Sequence, residues 1–304
     1  MHSREEILAA FGRLLDVQYR LRKECPWDRK QTFQSLRTNT IEEVFELADA
    51  LIRNDYHEIM KELGDVMEHV MFYSIIGQED DKFDIADVCN QEADKLMFRH
   101  PFINWKENEG DWGIENESFR VVNPDMEMNA KGQVVYKAEN SSLDDTPETD
   151  VEMEQTWERV KQKEQDGNSS VLSGVPQSLP SMIKAYRIQD KARNVGFDWE
   201  KKEDVWTKVR EELEELETEL KKEDRTNSER ELGDFIFSVI NAARLYHLNP
   251  DNALEYTNRK FISRFNYLEK RVKESGKELG EMTLNEMDEL WNEAKQAEKQ
   301  NEQI

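Results

Sequence analysis

The stretch Glu42-Glu43-Val44-Phe45-Glu46 is followed, sixteen residues after Glu46, by Glu62-Leu63-Gly64-Asp65. The pattern returns as Glu211-Glu212-Leu213-Glu214-Glu215 and, sixteen residues after Glu215, Glu231-Leu232-Gly233-Asp234. Each Glu-x-x-Glu or Glu-x-x-Asp spacing puts two carboxylates on one helix face, because residues three apart are surface neighbours. The flanking residues carry the helical period. In the second copy, apolar residues recur at Val205, Val209, Leu213, Leu216 and Leu220, then at Leu232, Phe235, Ile236, Val239, Ile240 and Ala243. Residues 223–227 leave room only for a helix–helix connection, so two antiparallel neighbours are predicted. The first copy repeats this with Val44, Leu47, Ala48 and Leu51, a break at Asn54-Asp55, then Ile59, Leu63, Val66, Val70 and Tyr73. Two helix pairs, each gathering four carboxylates, make the fold all-α and built from two related halves.

Outward from these pairs, residues 105–150 lose helical periodicity and gain Gly, Asn, Pro and Ser. Segments 118–123 and 133–137 read as two short strands about an Asn129-Ala130-Lys131-Gly132 turn, a small β-hairpin in the linker, with a flexible linker as the alternative. Helix resumes near Glu152. The expected organisation is an N-terminal helical domain over 1–104, a linker or insertion over 105–151 and a C-terminal helical domain over 152–304. Ser228-x-x-Glu231 has the form of a capping box, and Asp55-x-x-Glu58 is a similar helix start. The helix predicted over 228–246 carries Phe235, Ile236, Phe237 and Val239 on more than one face. One apolar stripe serves a surface helix, so the surplus predicts burial against a second copy, a homodimer.

Composition narrows the function classes. The chain has 304 residues, 36% of them charged, and a formal net charge of −24. That field repels nucleic acid, and no basic stripe offsets it. A small phosphate ligand remains compatible, because divalent cations invert the local sign. Two cysteines, Cys25 and Cys89, make no disulfide framework and point to a reducing compartment. The N-terminal residues are interrupted by charges, unlike a signal peptide, and no apolar run approaches the ~20 residues of a membrane span. A soluble, cytoplasmic protein with no membrane partner is expected.

The carboxylates carry the chemistry. Clustered acids repel and need a reason; four oxygen donors from two helices suit a hard divalent cation, Mg²⁺ or Mn²⁺ over Zn²⁺. Mg²⁺ keeps positions open for water and substrate phosphates, which points to phosphoryl chemistry. A lone Glu-x-x-Glu among 66 acidic residues is ordinarily a solvated face. Two copies with equal spacing are not explained by composition. A basic pair also recurs: Lys95 with Arg99, and Lys260 with Arg264, each four apart on a predicted helix. Such a pair either holds phosphate oxygens or sits among acids on a solvated face.

Further residues add a resemblance. The first half contains Cys25-Pro26-Trp27-Asp28, Gln31-Thr32 and Ser35-Leu36. The second contains Trp157-Glu158 with Lys161, Leu172-Ser173-Gly174-Val175-Pro176 with Leu179-Pro180, and Lys191-Ala192 leading to Val195-Gly196-Phe197-Asp198-Trp199. It continues with Asn241-x-x-Arg244, Asn258-Arg259-Lys260-Phe261, Arg264-Phe265, Trp291 and Lys295. With the carboxylate pattern, these stretches resemble the MazG family of all-α nucleoside triphosphate pyrophosphohydrolases in its tandem form. The resemblance covers nearly the whole chain except the insertion. It implies two helical-bundle domains and attack of water on the α-phosphorus of an NTP or dNTP, releasing NMP or dNMP and pyrophosphate. Mg²⁺ is the implied cofactor, with Mn²⁺ as the alternative, and house-cleaning of nucleotide pools the implied role.

Departures from the family pattern lie in the first half and the linker. Phe33 stands where the family has His after Gln31-Thr32. The Arg-His-Pro-His stretch reads Phe98-Arg99-His100-Pro101-Phe102, and the insertion between Pro101 and Trp157 is long. Catalysis is therefore assigned to the second half. Glu212, Glu215, Glu231 and Asp234 are the catalytic, metal-holding set, with one Glu available as base; Glu43, Glu46, Glu62 and Asp65 are the corresponding metal set of the first half. The helical wheel favours Glu212 and Glu215 over Glu211, which points further outward. Lys161, Lys191, Lys260, Arg264, Trp291 and Lys295 are the expected substrate contacts. Phe197 and Trp199 are pocket candidates or core residues. Two other readings stay open: a narrower pyrophosphohydrolase acting on phosphoribosyl-ATP or on dUTP/dCTP, and a non-catalytic nucleotide-binding regulator. Base and sugar preference are not legible in the sequence.

Overall fold

A computed structural model of the chain describes residues 2–107, 116–137, 149, 152–153, 156, 160 and 170–301. Apart from one two-stranded hairpin, the regular structure of these residues is helical. The chain forms two compact units, Met1–Gly167 and Asn168–Ile304.

In the first unit, α1 (Arg4–Glu24) starts at a reciprocal cap in which the Ser3 and Glu6 side chains each accept the other's backbone N–H. Helix α2 (Phe33–Arg53) starts with the same device from Thr32 and Ser35. It ends where Asn54 turns left-handed at φ 55°. Asp55 then caps α3 (Tyr56–Glu79), accepting from the N–H groups of His57 and Glu58. The predicted break therefore falls on Asn54-Asp55, and α2 packs along α3. Leu36, Phe72 and Ile76 form the core between them. Arg22 straps the 25–31 stretch: its guanidinium donates to the carbonyl oxygens of Asp28 and Gln31 and pairs with Glu79 at 2.6 Å. Helix α4 (Ile85–Arg99) follows, capped by Asp84.

The hairpin exists, but its first strand is not at 118–123. The strands are β1 (Met126–Met128) and β2 (Val134–Tyr136), antiparallel, with Glu127 opposite Val135. Residues 116–119 form a 3-10 turn instead. The N–H groups of Val122 and Asn123, which a ladder would need, go to the buried Asp94 carboxylate on α4, at 3.0 and 2.6 Å. The turn itself is where the residues predict it. Gly132 has φ +76°, and a Cβ there would lie 1.8 Å from Asn104 Oδ1, so glycine is required. The hairpin closes a small core of Met97, Phe98, Met126, Val134, Tyr136 and Val160. This explains one departure noted above: Phe98 packs its ring edge-on to Tyr136, centroids 4.9 Å apart. Phe33, a second departure, stacks on Tyr73 at 5.7 Å. Val160 belongs to this core, so that residue packs with the first unit rather than the second.

The second unit contains α5 (Ser181–Asn194), α6 (Val205–Lys221), α7 (Arg225–Leu245), α8 (Pro250–Glu274) and α9 (Leu284–Asn301). Helices α6 and α7 form the antiparallel pair, with Val205, Val209 and Ala242 at its core and Phe235, Leu245 and Tyr246 against them. Fully burying a side chain the size of Val205 or Val209 contributes about 1.5–3 kcal/mol. The start of α7 differs from the sequence reading. Asp224 is the N-cap, accepting from Asn227 N–H, and Ser228 lies buried one turn inside the helix. The Ser228–Glu231 capping box does not form, because an acidic cap four residues earlier takes the end of the helix. Glu231 is thereby left for other partners. Asn249 caps α8, and Pro250 fills its first position, where no N–H is needed.

Candidate active site

Each helix pair brings carboxylates together. In the first unit, α2 supplies Glu43 and α3 supplies Glu62 and Asp65; an oxygen from each lies within 4.8 Å of the others. In the second, α6 supplies Glu212 and Glu215 and α7 supplies Glu231, again within 4.8 Å. The two sets are not identical. Glu46 stands outside the first triad and lines a cleft of about 390 Å³ with Glu58, Lys61 and Glu62. Asp234, exposed, stands outside the second, though its charge reaches Glu231.

The electrostatics are those of crowded acids. Burial, then Asp65, Glu46, Glu62 and Glu42 in that order, raise the Glu43 carboxyl above its usual range. Glu231 is raised by desolvation, then by Glu215, Asp234, Glu212 and Glu219. Glu62 is 3% exposed. One of its oxygens accepts from Lys61 at 2.8 Å, and the other is buried with no hydrogen-bond partner. A buried, unpartnered carboxylate oxygen on a residue that meets two further carboxylates makes a donor set suited to a cation. Glu212, 7% exposed, accepts an ion pair from Lys208 at 2.7 Å. Lys208 also reaches Glu211 at 2.9 Å, and its ammonium is held well above its usual range, chiefly by Glu212 and then Glu211. Glu211 itself is exposed, in line with the helical wheel. Both clusters therefore fit a hard divalent cation, held by Glu43, Glu62 and Asp65 in one unit and by Glu212, Glu215 and Glu231 in the other.

The other expected contacts divide. Arg264 on α8 meets α9: it pairs with Glu298 at 2.8 Å and lies 5.8 Å from the Trp291 ring centroid. Phe261 packs against the same indole at 5.0 Å. Lys260 and Lys295 are exposed, and Lys191 is buried within α5. Lys161 and Trp157 lie outside the described residues. In the first unit Lys95 pairs with Glu92 on its own helix. Phe197 is 82% exposed, so it is not a core residue.

Two features were missed. Lys208 is one, although Lys208-x-x-x-Glu212 is the i, i+4 spacing of a helical ion pair. The other is Asp198, which the residues place in a recognisable stretch without a role. Its carboxylate accepts both guanidinium nitrogens of the buried Arg244, at 2.5 and 3.1 Å, and Asn241 accepts from the same arginine at 2.9 Å. This ties the loop carrying Gly196, at φ +88°, and Phe197 to α7.

A predominantly helical chain presenting a carboxylate cluster on each of two helix pairs belongs to the class of duplicated helical hydrolases. The MazG nucleotide pyrophosphohydrolase domain matches residues 31–103 and again 200–268. Over 293 residues the chain is 34% identical to the nucleoside triphosphate pyrophosphohydrolase of Escherichia coli K12, covering 94% of this chain and 97% of the relative. It is 31% identical over 288 residues to the nucleoside triphosphate pyrophosphohydrolase/pyrophosphatase MazG of Thermotoga maritima, covering 94% and 95%. It is also 37% identical over 277 residues to the uncharacterized protein YabN of Bacillus subtilis, covering 90% of this chain and 49% of that one. The chain belongs to the MazG nucleotide pyrophosphohydrolase family and is an enzyme, a hydrolase, in its tandem-domain form.

Proposed function

We propose that the protein hydrolyses nucleoside and deoxynucleoside triphosphates to the monophosphate and pyrophosphate, using Mg²⁺ or Mn²⁺, and that it clears nucleotide pools. The observation that carries this reading is the convergence of Glu212, Glu215 and Glu231 within 4.8 Å on paired helices. The substrate class follows the names of the full-length relatives. Glu212, Glu215 and Glu231 would hold the cation in the second unit, with Asp234 adding charge beside them, and Glu43, Glu62 and Asp65 in the first, with Glu46 adding charge beside them. A divalent ion there supplies Lewis acidity and neutralises triphosphate charge. A carboxylate of the set that is not engaged as a ligand accepts a proton from the attacking water as it adds to the α-phosphorus. Lys161, Lys191, Lys260, Arg264 and Lys295 meet the phosphates, joined by Lys208, whose ammonium already lies against Glu212. Trp291 offers a ring for the base. The second unit does most of the chemistry, because the family stretches are better kept there. The protein acts as a homodimer that covers the apolar side chains of α7.

Pyrophosphate release from a panel of NTPs and dNTPs, with Mg²⁺ and with a chelator, tests the reading. Turnover of several substrates only with metal is expected. Binding without turnover would make the protein a regulator, and turnover of one substrate alone would make it a narrower enzyme.

A further inference from the structure

The insertion in the first unit builds a cavity that shares no residue with either carboxylate cluster. It measures about 490 Å³, within the range of small-molecule sites. Its charged lining is Lys106, Arg120 and Lys137 against a single acid, Glu127. This inverts the balance of a chain with 66 acidic and 42 basic residues. Lys137 Nζ donates to the carbonyl oxygen of Pro124 at 2.6 Å. Lys106 and Arg120 are exposed and have no carboxylate partner among the described residues. The apolar lining includes Trp105, Phe119 and the two methionines of β1. The Trp105 and Phe119 rings lie 5.5 Å apart. Trp105 is fixed: its indole N–H donates to the Met97 carbonyl at 3.2 Å, and its backbone N–H to the Gly132 carbonyl at 2.9 Å. The wall is thus held by α4 on one side and the hairpin turn on the other.

We propose that this cavity is a metal-independent binding site for a nucleoside monophosphate. The lining leaves an excess of two positive charges, which matches a dianionic phosphate. A triphosphate would be under-compensated there without a metal. A guanidinium and two ammonium groups suit phosphate oxygens. Aromatic rings and polarisable methionine sulfur suit a flat heterocycle. Glu127 offers an acceptor to a ribose hydroxyl or a base amino group. The site does not depend on which substrate the carboxylate clusters act upon.

The test is calorimetric titration of the full chain in excess EDTA, which silences the metal-dependent sites, with AMP and UMP as probes and adenosine and inorganic phosphate as controls. One monophosphate per chain is expected, bound at least about tenfold more tightly than either control. Lys106→Glu with Arg120→Glu should lose about tenfold or more, and the milder Lys106→Ala with Arg120→Ala a smaller part, with circular dichroism unchanged. Glu43→Gln and Glu212→Gln should bind as the parent does. No binding of the monophosphates in EDTA, equal binding of adenosine or of phosphate, or full binding by the charge-reversed variant would each overturn the proposal. Failure of pyrophosphate release would leave it standing.

Discussion

At the scale of single residues, the two units make unequal demands on equivalent acids. Glu212 is buried on α6 and engaged by Lys208; Glu43 is half-buried on α2 among acids alone. Glu212→Gln keeps the shape and removes one charge from the cluster, so a loss in turnover on the order of 10²-fold or more is expected. Glu43→Gln should cost much less. Steady-state pyrophosphate release from both variants, each checked for folding by circular dichroism, decides it; the reverse order would move the active unit to the first half. Arg244 makes a separate stability prediction. It is buried, and Asp198 is its acid partner at 2.5 Å. Asp198→Ala leaves the buried guanidinium with Asn241 as its side-chain acceptor and no counter-charge, a loss of about 1–3 kcal/mol. A lowered denaturant midpoint at unchanged slope is the expected readout.

Elements are set by their ends, and the ends were only partly legible. Asn54-Asp55 announced the α2–α3 junction, because a left-handed Asn and an Asp cap are local devices. The start of α7 was misplaced, because Ser228 and Asp224 are both good caps and only the packed helix selects between them. Helix α9 carries a pH-sensitive start. The Glu286 carboxylate accepts from Thr283 N–H at 2.8 Å and from Lys277 at 3.0 Å, and Glu286 N–H donates back to Thr283 Oγ1. The backbone of Thr283, then Lys277, hold its pKa down to about 2, against 4.5 when unperturbed. The stabilisation is complete above about pH 4.5 and drains away as pH falls toward 2, since the unfolded chain takes up the proton first. Melting temperature should drop more between pH 5.5 and 3 in the parent than in Glu286→Gln; equal drops would remove Glu286 from the acid response.

For the whole molecule, the open question is what covers its apolar surface. On α2 and α3, Phe45, Tyr56 and Met60 are exposed, and on α7 Leu232, Ile236, Phe237 and Val239 are. Large apolar side chains exposed in this number on one helix are candidates for association. Light scattering at micromolar concentration should give twice the mass of one chain. A monomer would contradict the homodimer and leave these faces unexplained. No described helix is long and apolar enough to cross a membrane.

Helical period and the carboxylate repeat are local or strictly periodic signals, and from them the sequence alone determined an all-α chain, its two helix pairs and most of the acids that those pairs bring together, while the further motif stretches carried the family. Glu211 could be set aside in favour of Glu212 because a helical wheel needs no tertiary contact. The tertiary structure decided what depends on residues far apart in the chain. Asp94 capturing the N–H groups of Val122 and Asn123 moved the first strand to Met126–Met128. Phe98 finding Tyr136 turned a departure from the family pattern into a core residue. Asp198 meeting Arg244, 46 residues away, has no periodic signature at all. The same holds for the cavity between Trp105, Arg120 and Lys137: its cations are scattered in sequence, and only the closing of the hairpin onto α4 puts them on one wall.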